Sequence, residues 1–283
     1  MKVYVNIEAK DSGRSEPREA LIRGLEKIGH KVCGDPQECH LLLTWTPWEN
    51  SDRAVLKQDF EKAGRPVICI ENGWLSPIDG RRYWQIAFGG WNGTGIFPAW
   101  KGPDRWDSWG IELLPWKTSF QAGGAPGESV MVAPQAIALA DPRSMPIWWT
   151  EVICGFLDSQ EISYTVRKKS SPVPLEEALD QSWLVCTWNS SLATKAVIRG
   201  VPVRFFGPQI MVSKLCTRGL GEIKLRDRLP VLRKLAGSQF SAQELANGWP
   251  LDRLIKSWDP GPFAQKPKKR VQLRNWLPNF GHR

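Results

Sequence analysis

Residues 183–206 constrain the fold of this chain more than any other stretch. The apolar run from Trp183 to Thr187 is typical of a buried parallel strand. A polar turn follows it, and the segment 192–199 predicts a helix that Gly200 ends. A second apolar strand is predicted over 201–206. This order of strand, turn, helix and strand predicts one unit of a parallel α/β sheet.

The turn of this unit carries small polar residues directly before the predicted helix. Asn189, Ser190 and Ser191 are residue types that cap helix N-termini. A helix start also presents free backbone N–H groups and the positive end of the helix dipole. The sequence therefore predicts that this turn binds an anionic phosphate.

The same alternation of strands and helices covers most of the chain. The strands predicted outside the first unit lie at 2–7, 40–45, 66–71, 129–134 and 162–167. The predicted helices lie at 17–28, 51–63, 146–159 and 174–182. The stretch 72–126 is rich in Gly, Trp, Pro and Asn and shows no periodicity, so we expect a functional loop region there. The run 123–127 is typical of a domain linker.

Two alternating series with a Gly/Pro seam between them predict an α/β fold of two doubly wound, Rossmann-like domains that face a cleft. The predicted domains are 1–125, 126–213 and a basic helical C-terminal region, 214–283, that completes the fold. In that region, helices are predicted over 227–235 and 241–247, the second opened by a capping box from Ser241 to Glu244. This helix pair is compatible with DNA reading and equally with packing of the domain.

Polar side chains follow the predicted strands of the second domain. Ligands of open α/β sheets bind beyond the carboxyl ends of the strands. This rule selects as candidate ligand-binding residues Gln135, Arg167, Thr187, Trp188, Asn189, Ser190 and Ser191. Arg167 supplies a fixed cation for phosphate. Trp188 offers a ring for stacking on a nucleotide or an extruded base, with core packing as the alternative.

A carboxylate that ends an apolar strand is the candidate general base of the first domain. Glu71 closes the predicted strand 66–71 directly before a turn that contains glycine. A partly desolvated carboxylate can act as a general base; capping of the turn is the alternative role. Asp104, with Asp107, is the second candidate, because both lie in the Trp-rich stretch.

The basic excess of the chain belongs to its C-terminal part. The net charge is +9, whereas residues 214–283 alone hold 15 Lys/Arg and 5 Asp/Glu, a net of +10. This asymmetry predicts a polyanion partner, nucleic acid ahead of membrane, with a solvated tail as the alternative. The candidate nucleic-acid-binding residues are Trp91, which offers a stacking ring, and Lys266, Lys268, Lys269 and Arg270.

The cysteines and histidines give no metal-ligand spacing. We expect reduced, buried thiols, and the nearest approach to a zinc site is Cys33, Cys39 and His40. No Asp-x-Asp motif follows a predicted strand. No apolar run approaches the roughly 20 residues that span a bilayer, and the chain starts with a strand pattern, not a signal peptide. These features predict a cytoplasmic protein without membrane contact.

The motif at the end of the first unit resembles a known family. The run Thr187-Trp-Asn-Ser-Ser191, followed by a helix and Gly200-Val-Pro-Val203, resembles the nucleotide-sugar domain of GT-B glycosyltransferases of the capsule-polysaccharide and sialyltransferase-like kinds. Strands that end at Gln135 and Arg167 agree with this resemblance. Relatives often continue as Arg/Lys-x-His-Pro, whereas this chain reads Arg167-Lys-Lys-Ser-Ser-Pro172 and lacks the histidine.

The resemblance implies a metal-independent hexosyltransferase that uses UDP-glucose or a similar nucleotide sugar. It also implies that the selected residues of the second domain bind this donor and that Glu71 deprotonates the acceptor hydroxyl. The runs 71–74 and 91–95 resemble bacteriophage-encoded proteins of this type, among them DNA glucosyltransferases. The expected acceptor is therefore a hydroxymethylated pyrimidine of phage DNA, in the host cytoplasm. Two alternatives stay open: a GT-B transferase that acts on a surface glycan or a small molecule, and a non-catalytic phage protein that binds a nucleotide or nucleic acid.

Overall fold

The protein forms two compact units. The structure, a computed structural model, describes residues 1–8, 15–47, 51–78, 80–90, 95–97, 102, 104–117, 129–135, 144–208 and 210–259. Of these, 1–109 and 233–259 belong to the first unit and 110–232 to the second. No helix in the described ranges is long and apolar enough to cross a bilayer.

The elements alternate along the chain much as the sequence predicts. The strands are β1 (Lys2–Asn6), β2 (Lys31–Cys33), β3 (Leu41–Trp45), β4 (Val67–Asn72), β5 (Tyr83–Phe88), β6 (Ser129–Ala133), β7 (Tyr164–Val166), β8 (Ser182–Thr187), β9 (Val203–Phe205), β10 (Thr217–Arg218) and β11 (Gln239–Ser241). The α-helices are α1 (Ser15–Lys27), α2 (Asp52–Lys62), α3 (Arg105–Ser108), α4 (Trp149–Ser159), α5 (Leu175–Asp180), α6 (Leu192–Ile198), α7 (Leu229–Ala236), α8 (Ala242–Ala246) and α9 (Trp249–Lys256).

The first unit is built on a mixed six-stranded sheet in the order β11-β5-β4-β3-β1-β2. The strands β1 to β4 are parallel, and β5 runs antiparallel to both β4 and β11. Leu21 and Leu25 of α1 share one apolar core with Leu245 of α8 and Leu254 of α9. On the opposite side, Phe60 of α2 packs with β3 and β4 side chains.

The second unit contains the segment that the sequence singles out. Its sheet is fully parallel, in the order β10-β9-β8-β6-β7. The predicted strand, turn, helix and strand over 183–206 are confirmed as β8, α6 and β9. On one face of this sheet, β6 and β8 side chains form a core with α4 residues such as Trp149, Ile153 and Leu157.

The C-terminal region is divided in a way that differs from the sequence-based boundaries. The predicted capping box of Ser241 and Glu244 is present at the start of α8. The strand β11 pairs with β5, and residues 233–259 belong to the first unit. The strand β5 itself lies inside the stretch 72–126, where no periodicity is visible. All six of its residues are buried, so the strand has no alternation of apolar and polar positions.

The cysteines also differ in part from the expectation of reduced thiols. Cys33 and Cys39 form a disulfide across the short turn 36–38, whereas Cys69 and Cys186 are free and buried. The Nδ1 atom of His40 accepts a hydrogen bond from the backbone N–H of Lys2 at 3.1 Å. Within the described ranges, no group of three His, Cys, Asp or Glu side chains is placed to hold a metal ion. The Cys33, Cys39 and His40 cluster is therefore a disulfide beside a strand contact.

Candidate functional site

Three of the predicted donor-binding positions meet at the carboxyl edge of the second sheet. The strands β7, β6 and β8 are parallel neighbours, so their carboxyl ends lie at one edge. Arg167 directly follows β7, and its backbone N–H donates to Val132 O of β6 at 2.9 Å. Gln135 follows β6 and Asn189 follows β8. The structure thus brings together Arg167, Gln135 and Asn189, as the strand-end rule predicts.

Gln135 connects the ends of two of these strands. Its side-chain Oε1 accepts a hydrogen bond from the backbone N–H of Asn189 at 2.8 Å. Both residues are half-buried. Gln135 therefore fixes the start of the polar turn through its side chain, and it reaches a ligand only through its remaining polar atoms.

The polar turn caps α6 through one serine. Ser190 Oγ accepts a hydrogen bond from Leu192 N at 3.2 Å. Ser191 occupies the N-cap position with helical backbone angles (φ −62°, ψ −18°), and its side chain makes no capping bond. The Ser191 side chain is exposed. Of the three predicted capping residues, Ser190 satisfies an N–H group at the helix start, while Ser191 faces solvent.

Thr187 and Trp188 are placed in the interior, which corrects their assignment to ligand contact. Thr187 is fully buried, and its Oγ1 donates to Ala133 O at 3.2 Å, so the hydroxyl joins β8 to β6. Trp188 is 4% exposed, and its ring meets that of Trp149 edge to face with 6.3 Å between centroids. A ring enclosed in this way is not available for stacking on a nucleotide or an extruded base. Both side chains therefore belong to the core of the second unit.

Arg167 places a guanidinium at this edge. It is half-buried, and its Nη2 donates to Val173 O at 3.1 Å. Its Nε is buried and has no hydrogen-bond partner in the described part of the chain. Because a guanidinium carries five N–H donors in a fixed plane, a contact at Nη2 leaves donors for an anion.

Trp148 is an aromatic residue near this edge that sequence reasoning missed. Its side chain is 45% exposed, whereas the adjacent Trp149 is buried against Trp188. Met145, three residues earlier, places its Sδ 3.4 Å from Gln135 N. The start of α4 therefore lies beside the strand ends. The consecutive tryptophans Trp148 and Trp149 could have predicted an exposed ring, because two adjacent residues at a helix start cannot both face the core.

Glu71 occupies the end of β4 in the first unit. It is half-buried, and its Oε1 accepts from the backbone N–H of Asn72 at 2.9 Å and from Asn72 Nδ2 at 3.3 Å. The turn-capping role that the sequence left open is thus present. These bonds hold one carboxylate oxygen in a fixed orientation.

Asp104 and Asp107 are engaged in the architecture of the first unit. Asp104 Oδ1 accepts from Trp106 N at 3.0 Å and caps α3, and Asp104 Oδ2 pairs with Arg233 Nε at 2.5 Å. Asp107 pairs with the same guanidinium at 3.1 Å. Asp104 is thus held by a capping bond and an ion pair, whereas Glu71 lies near the carboxyl end of the parallel strand β4, where ligands of such sheets bind; this position makes Glu71 the better candidate.

The remaining predicted contact residues lie outside the described residues. They are Trp91, Lys266, Lys268, Lys269 and Arg270. The residues predicted to contact nucleic acid therefore have no structural description, and their role stays a prediction.

Comparison with solved structures identifies the fold. KpsC of Thermosulfurimonas dismutans, a beta Kdo 2,4 transferase, is similar to this chain with a TM-score of 0.55 and 13% identity, over 87% of this chain and 97% of that chain. The beta Kdo 2,7 transferase of KpsC from the same organism matches with a TM-score of 0.47 and 14% identity, over 89% and 100%. AviGT4, a glycosyltransferase involved in Avilamycin A biosynthesis, matches with a TM-score of 0.29 and 11% identity, over 90% and 96%.

Only the first of these structures has a TM-score above 0.5, and at such low identity it shows the fold alone. No protein-family model matches the chain, and no curated protein matches it in sequence. The chain has a GT-B-like fold with two Rossmann-like α/β units, as the sequence predicts. Fold alone does not define an activity.

Proposed function

We propose that this protein is a glycosyltransferase that moves a sugar from a nucleotide-sugar donor to a hydroxyl acceptor. The observation that carries the proposal is the cluster of Arg167, Gln135 and the Asn189 turn at one sheet edge of a GT-B-like fold. The likeness to KpsC, a Kdo transferase, supports it at the level of the fold.

The second unit is proposed to hold the donor. Arg167 offers a planar cation to the donor phosphates, and its charge stabilises the negative charge that develops on the leaving phosphate oxygen. The turn 189–191 offers small polar groups beside it. Trp148 adds an exposed ring for the nucleobase. No metal is required in this scheme, because the cation comes from the protein.

Glu71 is proposed as the base of the transfer step. The acceptor oxygen forms a bond to the anomeric carbon, while the bond from that carbon to the donor phosphate oxygen breaks. The acceptor proton passes to the Glu71 carboxylate, and the electron pair of the broken bond leaves on the nucleotide phosphate. The bonds from Asn72 to Oε1 orient the carboxylate for this task.

Two acceptor classes have support of different kinds. The net charge of +10 over residues 214–283 favours DNA, and with it a hydroxymethylated pyrimidine as acceptor, as in a phage-encoded enzyme. The likeness to KpsC, which transfers Kdo, favours a glycan. We place DNA first because the charge is a property of this chain itself.

Mass spectrometry of acceptors tests the proposal directly. The protein is incubated with UDP-glucose, and with other UDP- and CMP-sugars, together with hydroxymethylpyrimidine DNA, unmodified DNA or an oligosaccharide. A gain of one sugar mass on the modified DNA alone supports the DNA acceptor. A gain on the oligosaccharide alone replaces DNA with a glycan, and tight donor binding without any transfer would overturn the enzymatic proposal in favour of a non-catalytic binder.

Matched variants separate the proposed roles from general effects on the protein. Arg226, like Arg167, donates to a backbone carbonyl of the second unit, so Arg226→Gln is the control for Arg167→Gln. Donor affinity is expected to fall in Arg167→Gln alone. Glu26, exposed on α1, provides the control Glu26→Gln for Glu71→Gln. Loss of turnover with donor affinity kept is expected in Glu71→Gln alone, and equal turnover in both variants would remove Glu71 as the base.

A further inference from the structure

A cavity of about 180 Å³ lies in the second unit, away from the candidate donor edge. Its walls are mainly apolar and come from α4 and β8, with Ile153, Leu157, Trp183 and Leu184 among them. None of the donor-edge residues lines it. Its volume is close to that of an engineered cavity of about 150 Å³ that accepts benzene. The space is therefore large enough for a small aromatic or branched ligand.

One cation lines this apolar space. Arg204 lies on β9, and its register partner on β8 is Cys186, which lines the same cavity. The Arg204 Nε is buried and has no hydrogen-bond partner in the part of the chain that the structure describes. Burial lowers the pKa of Arg204, and the neighbouring Cys186 acts in the opposite direction.

Cys186 does not neutralise the charge of Arg204. Burial raises the pKa of the Cys186 thiol to about 12, so the thiol is neutral near pH 7. A half-buried guanidinium without a counter-charge is costly, because it has lost part of its hydration and gained no anion in return. Among the described residues, the cavity thus combines mainly apolar walls with one positive charge that no acidic side chain pairs.

We propose that this cavity binds a small monocarboxylic acid with an apolar body, whose carboxylate pairs with Arg204. A planar carboxylate matches the planar fork of a guanidinium, and the apolar body replaces water along the α4 and β8 walls. A single negative charge balances the single cation, whereas a phosphate dianion leaves a net charge in an apolar space. The site is independent of the proposed sugar transfer and does not require it.

Calorimetric titration of the full chain with three probes tests the site. Benzoate carries the carboxylate, benzamide is its neutral equivalent, and phenyl phosphate is the dianionic one. Benzoate is expected to bind about tenfold more tightly than benzamide, since hydrogen bonds to a charged partner exceed neutral ones by that order. Equal affinities, tighter binding of phenyl phosphate, or no binding of benzoate would each overturn the proposal.

Two variants and a control locate the binding. Arg204→Met removes the charge and should abolish the preference for benzoate, while Arg226→Met, a control in the same unit, should keep it. Gln160 is exposed and lines the cavity. Because Gln160→Trp fills the cavity and keeps Arg204, it should lower the affinities for benzoate and benzamide together. Retention of the preference in Arg204→Met would refute the assigned pairing.

Methyl NMR supplies a readout that does not depend on a variant. Ile153 and Ile162 both line the cavity, whereas Ile198 on α6 does not. In protein labelled at the isoleucine methyl groups, benzoate is expected to shift the Ile153 and Ile162 signals and to leave Ile198 unchanged. Shifts confined to other isoleucines would place the ligand elsewhere and overturn the site.

Discussion

The side chain of Gln135 is bonded to the backbone N–H of Asn189 at 2.8 Å, across the ends of β6 and β8. This bond joins residues 54 positions apart in the chain. It holds the polar turn at the edge where Arg167 follows β7. The geometry of the candidate donor site therefore depends on a side chain that the turn sequence itself does not contain.

Replacing Gln135 tests this dependence. In Gln135→Ala the Asn189 N–H loses its acceptor, and we expect the free energy of unfolding to fall by about 1 kcal/mol. If the turn binds the nucleotide sugar, the Kd for that ligand should rise about tenfold, because the backbone N–H of Asn189 is no longer held in place. Denaturant unfolding and calorimetry measure both. The control is Gln181→Ala, since Gln181 is an exposed glutamine of the same unit; equal effects in the two variants would contradict the positioning role.

The structure also shows which parts of this site the sequence could predict. The order of strands placed Gln135, Arg167 and Asn189 at one edge, because parallel strands align their carboxyl ends. The sequence did not reveal which side chains turn inward. Both faces of β8 are buried, so its apolar run does not indicate that Thr187 and Trp188 point into the core.

The fold of the first unit was predictable only where contacts are local. The helix α1 and the capping box of α8 are set by spacing within a few residues, and the sequence placed both. The pairing of β11 with β5 joins Phe240 to Trp84, far apart in the chain. A three-residue strand carries too little pattern to indicate its partner. The division of the C-terminal region between units therefore depended on a contact that only the structure shows.

A partly buried ion pair should make the first unit sensitive to acid. Arg105 contacts both carboxylate oxygens of Glu244, at 2.5 and 3.0 Å. Burial alone would raise the pKa of Glu244, but the bonds from Arg105 and from Ser241 N–H outweigh it, and the pKa lies below its usual value. A lowered pKa stabilises the fold above the ordinary pKa of a glutamate, about 4.3, and this contribution is lost as the pH falls through the folded value.

The variant Glu244→Gln should isolate this contribution. At neutral pH we expect its free energy of unfolding to be about 1 kcal/mol below that of the unmodified chain, because Arg105 loses its counter-charge and solvent screens part of the interaction. The difference should shrink as the pH falls below about 4.3. Urea unfolding over a series of pH values measures it, with Glu26→Gln as the exposed control. A difference that stays constant into the acid range would contradict the assigned ion pair.

Gly200 is required by the packing at the end of α6. Its φ is +73°, and a Cβ there would lie 1.8 Å from Pro115 O. We expect Gly200→Ala to lower the free energy of unfolding by about 3 kcal/mol or more, from the strained backbone and the clash together. In Gly155→Ala, on the exposed side of α4, a Cβ meets nothing within 4 Å. That control should raise stability by about 0.5–1 kcal/mol, as expected for alanine in a helix, and thermal unfolding compares the two.

Replacing Arg204 should stabilise the protein, whereas replacing Glu244 or Gly200 should destabilise it. Because its guanidinium is partly desolvated and its Nε has no partner in the described ranges, the native state carries a cost that an apolar side chain avoids. Arg204→Met should therefore raise the free energy of unfolding by about 0.5 kcal/mol without ligand, a small gain because part of the side chain stays hydrated. Benzoate should raise the melting temperature of the unmodified chain but not that of the variant, because only a ligand that binds the native state stabilises it. Calorimetric melting with and without benzoate compares the two, and destabilisation by Arg204→Met would show that the guanidinium contributes to the fold.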